Sequence, residues 1–158
     1  MVLRTPMRGK RGYGPTHSQT LDRFLIGIDH VKTLALNTLI DPKLIFESIH
    51  REKQPVIVIE NKVEYGKRIL RKNFEAFDYE YLDLEYPIIR IKPKLSEPTL
   101  TIVSYGGMAS MLTDDLDQIF RKTDHKPEII LLTKINPLRE ELQVIADSVK
   151  VTGKLVTL

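Results

Sequence analysis

Pro55-Val56-Ile57-Val58-Ile59-Glu60 is a continuous β-branched run closed by a carboxylate. A run of this kind is expected of a strand covered on both faces, as in a parallel sheet. Upstream, Val31-Lys32-Thr33-Leu34-Ala35-Leu36 reads as a second strand with mixed faces. Between them stands Asp41-Pro42, a helix start with Asp as N-cap and Pro at the first helical position. Ile45 and Ile49 lie four apart on one face of that helix, with Phe46 beside Ile45. Residues 30–60 are thus expected to form a strand–helix–strand unit, a parallel pair with a right-handed crossover.

A second series of the same kind starts near Thr99. Leu100-Thr101-Ile102-Val103 is its first strand, and Gly106-Gly107 ends it. Met108, Leu112, Leu116, Ile119 and Phe120 recur at helical spacing, with Asp114, Asp115 and Asp117 on a solvated face. Glu128-Ile129-Ile130-Leu131-Leu132 is the next strand. Asn136-Pro137 repeats the cap-plus-proline signal, so a helix is expected to start there, with Leu138, Leu142, Ile145 and Val149 as its apolar stripe. Thr152-Gly153 stops it, and residues 154–158 begin a third strand.

Residues 66–97 read as a connector. Its aromatics (Phe74, Phe77, Tyr79, Tyr81, Tyr86) are interleaved with acids, and Pro87, Pro93 and Pro98 punctuate it. The aromatics are expected to pack across two domains, the alternative being a partner-binding edge. Ile88-Ile89-Arg90-Ile91 reads as a short strand. Strand-like runs at both ends, from Val2 and up to Leu158, read as cut edges, with apolar edges left exposed. The fold class is α/β, in two pieces: residues 1–65 and residues 98–158.

The chain has 158 residues, 42% of them hydrophobic and 28% charged, which describes a folded globular protein. It has no cysteine, so neither a disulfide framework nor thiolate chemistry is available. The net charge of +3 is unevenly spread: residues 1–72 hold 14 Lys or Arg against 7 Asp or Glu. No zinc spacing or RNA-binding signature accompanies that basic excess, so an anionic partner or cofactor is favoured over nucleic acid. No apolar run approaches the roughly 18 residues of a membrane span, and no membrane partner is expected.

Dinucleotide, P-loop, zincin and nucleophile-elbow motifs are all absent. Tyr105-Gly106-Gly107-Met108 opens a helix after a strand and offers backbone N–H groups to an anion, although a tight strand-to-helix turn needs glycine in any case. The chemistry-bearing stretch is Arg11-Gly12-Tyr13-Gly14-Pro15-Thr16-His17-Ser18-Gln19, a loop whose glycines and proline pin one histidine. Imidazole can act as acid, base or hydrogen-bond donor near neutral pH. From spacing alone, a lone loop histidine such as His17 is more often an ordinary hydrogen-bonding surface residue. His30, His50 and His125 lie in plainer settings and are assigned no role.

Arg4-Thr5-Pro6-Met7 followed by Gly12-Tyr13-Gly14-Pro15-Thr16-His17-Ser18-Gln19 resembles the β subunit of the thiamine-diphosphate-dependent 2-oxo acid dehydrogenases, the first component of the pyruvate and branched-chain complexes. Asp41-Pro42-Lys43, the run from Gln54 through Glu60-Asn61-Lys62 to Tyr65, Leu100 to Met108, Ile135-Asn136-Pro137-Leu138 and Thr152-Gly153-Lys154-Leu155-Val156 continue it in family order. Transketolase-like enzymes share the Gly-Pro-Thr-His core, and Ser-Gln after it points to the dehydrogenase branch.

The resemblance implies the C-terminal part of a transketolase-like pyrimidine-binding domain (1–65), a linker (66–97) and the start of a transketolase C-terminal-type domain (98–158), both with mainly parallel sheets. It implies oxidative decarboxylation of a 2-oxo acid and acyl transfer to a lipoyl group, with His17 the catalytic residue by the thiazolium end of thiamine diphosphate. Ser18 and Gln19 would shape the loop. The implied partners are an α subunit holding the diphosphate and its divalent metal, a second β copy in a heterotetramer, and a lipoyl-bearing acyltransferase. The implied location is the bacterial cytoplasm or the mitochondrial matrix. The family's activating acid lies upstream of Val2, no Gly-Asp-Gly metal motif occurs, and Lys134 stands where an arginine is usual. The chain alone is therefore expected to be inactive, and a non-catalytic assembly module of the same fold is the alternative.

Overall fold

The computed structural model describes all residues except Lys10, Arg11, Tyr13, His17, residues 70–73 and Asp124. The apolar run becomes strand β3 (Val56–Asn61), flanked in parallel by β1 (Val2–Met7) and β2 (Lys32–Ala35). All of β3 except Asn61 is buried, as a central covered strand requires. Helix α1 (Pro42–His50) joins β2 to β3. Its cap is the expected one: Asp41 Oδ1 accepts from Lys43 N at 2.9 Å, with Pro42 opening the first turn. Ile45 and Ile49 face the core.

The second sheet runs β4 (Phe77–Leu82), β5 (Ile88–Pro93), β7 (Pro127–Leu132), β6 (Leu100–Tyr105), β9 (Leu155–Thr157). The β6–β7 and β6–β9 pairs are parallel, whereas β4–β5 and β5–β7 are antiparallel. Two strands of this sheet come from the segment read as a connector. There, aromatic and acidic residues alternate because a strand shows its side chains to opposite faces at every step: Phe77 is buried while Asp78 and Glu80 are exposed. Helices α2 (Gly107–Lys122) and α3 (Glu140–Thr152) complete the fold. One continuous apolar core joins Leu34, Ile45 and Val58 to Phe77, Ile91, Leu112, Leu116 and Ile129.

The two sheets exchange a strand. β7 ends at Leu132 in the second sheet, and β8 (Lys134–Asn136) pairs antiparallel with β2 in the first. Thr133 makes the crossing: its carbonyl accepts from Ala35 N at 2.8 Å and its hydroxyl donates to Pro87 O at 2.6 Å.

Asn136 consequently caps no helix. Its side chain accepts from Gly27 N at 3.1 Å and donates to Val31 O at 3.0 Å, tying the approach to β2. Helix α3 starts three residues after Pro137, where Glu141 Oε2 accepts from Arg139 N at 2.9 Å. Of the expected stripe, Leu138 and Ile145 pack on the core, whereas Leu142 is 51% exposed, and the fully buried residues of α3 are Glu141 and Ser148. The stop at Gly153 is as expected, with φ +67° and its N–H donating to Val149 O.

The two halves are also joined by charge at the amino end of β2. Lys32 Nζ contacts Glu52 at 2.6 Å and Glu85 at 2.5 Å, and Lys134 Nζ contacts Glu85 at 2.7 Å and Glu141 at 3.2 Å. Tyr86 donates to Glu52 at 2.7 Å. The side chains of Lys134 and Glu141 are only 2% and 0% exposed. Burial alone would lower Lys32, but its bonds to Glu52 and Glu85 leave its pKa raised. Burial likewise works to raise Glu85, and the two lysines outweigh it, holding the carboxyl below the usual range.

Candidate functional site

The carboxyl ends of β1, β2, β3 and β6 meet at one narrow cleft of about 20 Å³ between the two sheets, lined by Met7, Arg8, Thr20, Asp22, Tyr105 and Gly106 among others. Ligands of open α/β sheets bind outside the carboxyl ends of strands. Two grooves extend from this place. One, of about 320 Å³, runs between the start of α1 and Tyr65; the other, of about 440 Å³, runs from Arg8 past Lys67 to Met111.

The loop after β1 is the histidine-bearing one. His17 lies outside the described residues. Of its neighbours, Ser18 donates from Oγ to Gly14 O at 2.6 Å, and its N–H reaches Pro15 O. Gln19 O accepts from Arg8 N at 3.3 Å, and Leu21 N donates to Met7 Sδ at 3.3 Å, so the loop closes on its own stem. Gly12 and Gly14 have φ near +76° and +72°, the conformation in which glycine is favoured.

The turn Tyr105-Gly106-Gly107-Met108 faces this loop from the second half. Gly106 has φ +56°, and a Cβ on Gly107 would sit 1.7 Å from Asn61 Nδ2. Both glycines are therefore needed for the turn to pass against the end of β3. Tyr105 donates to Asp22 Oδ2 at 2.5 Å, and Arg8 Nη1 reaches Met108 Sδ at 3.3 Å. Burial, and then Asp22, push the Tyr105 hydroxyl up to about 12.

The other carboxylates here are also held. Glu60 accepts from Arg4 Nε at 2.5 Å and from Tyr65 at 2.8 Å, and its side chain is 5% exposed. Burial, then Glu60, raises Tyr65. Glu64 accepts from Ser110, whose hydroxyl lies 2.8 Å from that of Thr38. Sequence reading missed these partners; the only local signals were a carboxylate ending an apolar strand at Glu60 and a tyrosine five residues on.

Thiamine diphosphate, the group the resemblance implies, needs a carboxylate for its aminopyrimidine and ligands for its metal. Among the described residues, Asp22, Glu60 and Glu64 are already engaged, and no three His, Asp or Glu side chains converge on a metal position. Beside the engaged Asp22 and Glu60, the cleft is lined by the donors Arg8 and Thr20. The described residues fit one donor-bearing wall of such a site and not the whole of it.

No protein-family model matches the chain. It is similar to the pyruvate dehydrogenase E1 component subunit beta-2, mitochondrial, of Oryza sativa subsp. japonica: 28% identical over 160 residues, covering 100% of this chain and 40% of that protein. It is 27% identical over 158 residues to the mitochondrial subunit beta of Saccharomyces cerevisiae, covering 99% of this chain and 41% of that one. The subunit beta of Rhizobium meliloti is 29% identical over 159 residues, with 99% of this chain and 32% of that one covered. Among solved structures, a "Split gene transketolase, inactive beta4 tetramer" superposes with a TM-score of 0.62 at 15% identity, covering 99% of this chain and 46% of that chain. The chain thus spans about two fifths of the curated relatives' length. Among the described residues no helix is long and apolar enough to cross a membrane. Along its whole length this chain is similar to part of the β subunits of pyruvate dehydrogenase, and its α/β fold is of the transketolase type.

Proposed function

We propose that this chain contributes the β-type wall of a thiamine-diphosphate site in a 2-oxo acid dehydrogenase, completed by an α subunit that holds the diphosphate and its metal. The observation that carries this reading is the position of the Gly14–Gln19 loop. Its two flanks, Arg8 after the carboxyl end of β1 and Thr20, line the cleft where two sheets meet, in a chain similar throughout to pyruvate dehydrogenase β subunits. Thiamine diphosphate, when bound, supplies the electron sink for decarboxylation. His17 acts as acid and hydrogen-bond donor toward the 2-oxo acid, the class taken by the pyruvate and branched-chain enzymes, and in acyl transfer to the lipoyl arm of an acyltransferase. A second β copy completes the assembly, in the bacterial cytoplasm or the mitochondrial matrix.

The test is His17→Ala in the assembled enzyme. Loss of a positioned acid costs roughly 10²- to 10⁴-fold in turnover. Unchanged decarboxylation together with unchanged acyl transfer to lipoamide would overturn the proposal.

A second reading, a non-catalytic assembly module, draws on the engaged carboxylates of the cleft and on the structural neighbour, itself described as an inactive tetramer of β chains. Calorimetry with thiamine diphosphate, with and without an α subunit, separates the two. Cofactor binding that depends on residues 11–19 supports the catalytic wall, and its absence supports the module.

A further inference from the structure

We infer that Tyr105, acting through Asp22, is a positioning residue that fixes the His17-bearing loop against the second half of the molecule. This rests on the reading of His17 proposed above. The loop closes by its own contacts, Arg8 N to Gln19 O and Leu21 N to Met7 Sδ, but these refer it only to β1. Both of its stems are gripped from the β6–α2 turn. Tyr105 holds Asp22, 83 positions away, on the returning stem, and Met108 holds Arg8, 100 positions away, on the outgoing one.

The gripping turn is itself braced. Gly106 adopts a backbone open to few other residues, and Gly107 lies so close to Asn61 that no side chain fits between them. The turn is therefore registered on the end of β3 before it touches the loop. Of the two grips, Tyr105–Asp22 is the stronger, because a hydroxyl donating to a carboxylate in a partly buried place exceeds a guanidinium on a thioether. Asp22 also accepts from Arg23 N at 3.0 Å, which orients its carboxylate toward Tyr105. No atom of Tyr105 needs to touch substrate. Its effect passes through the loop, where a displacement of about 1 Å at a reacting group costs up to 10²-fold in rate.

Tyr105→Phe removes the donor and little else. Amide exchange at Arg8 and Leu21 should accelerate by about tenfold in the full chain, with the unfolding midpoint nearly unchanged. In the assembled enzyme, turnover should fall by about tenfold with KM for the 2-oxo acid held. Asp22→Ala should match it, and the double variant should be no worse than either single one, as for two ends of one bond. Asp22→Asn keeps an acceptor for the hydroxyl and should recover most of both signals. His17→Ala should lower turnover by roughly 10²- to 10⁴-fold while leaving exchange at Arg8 and Leu21 as in the wild type. Unchanged exchange in Tyr105→Phe, or additive effects in the double variant, overturns the inference. Full turnover in His17→Ala overturns the functional reading instead, and exchange still decides the grip.

Discussion

The molecule carries two polar assemblies between its sheets, built from similar residues and set at opposite ends of β2. At the amino end, Lys32, Glu52, Glu85, Lys134 and Glu141 alternate in sign, and the innermost pair is sealed from water. At the carboxyl end, Arg4, Tyr65, Asp22 and Tyr105 line open grooves around a buried Glu60. A buried ion pair is costly to break because the surviving charge has no water to turn to, whereas a pair at a cleft can rehydrate. The first assembly fixes how the halves sit; the second shapes what the halves enclose.

The contrast can be broken most sharply at Lys134. Lys134→Met leaves Glu141 buried without its cation, and denaturant unfolding should show a loss of about 3–5 kcal/mol. A loss under 1 kcal/mol would show that the amino-end cluster is no fastener. Next in size is Gly107→Ala, whose methyl overlaps Asn61. Overpacking of this sort costs roughly 1–3 kcal/mol, and Asn61→Ala in the same chain should return most of it by vacating the space. Tyr65→Phe should cost only about 1 kcal/mol, since Glu60 keeps Arg4 and the site is half open.

The pH profile separates the two ends by sign. Glu85 is held below the usual carboxylate range, so its contribution is complete above the unfolded value of about 4.3 and fades as pH falls through the lowered one. Glu85→Gln should flatten that acid limb. Tyr105 is pushed up to about 12, so its contribution is complete below the unfolded value of about 10 and fades as pH rises through about 12. Tyrosinate absorbance should include a late step near pH 12 that is lost in Tyr105→Phe, beside the raised hydroxyls of Tyr65, Tyr81 and Tyr86. A wild-type titration ending near pH 10 would count against a closed Tyr105–Asp22 pair.

Legibility followed the range of the forces involved. Asp41-Pro42 and Asn136-Pro137 carry the same local message, and only the first became a helix cap. Asp41 has no better partner than Lys43 N, whereas Asn136 meets Gly27 and Val31 across the sheet. The strands beginning at Val56 and Leu100 announced themselves by β-branched runs. The pair at Phe77 and Ile88 was less plain, because acidic residues fill its solvent face. β8, with three residues, is too short to carry a period at all. In the site, the histidine loop was legible from its glycines and proline. Its grip by Tyr105 was not, since 83 positions separate the bonded side chains.

The exchanged strand also sets an order of events during synthesis. The first sheet has four strands, and its fourth is translated roughly a hundred residues after β2 has left the ribosome, a wait of about 5–20 s at ordinary elongation rates. Until Asn136 emerges, the edge of β2 stands open and Lys32 lacks the neighbourhood of Lys134. The edge of β2 is thus closed by a strand from the far part of the same chain.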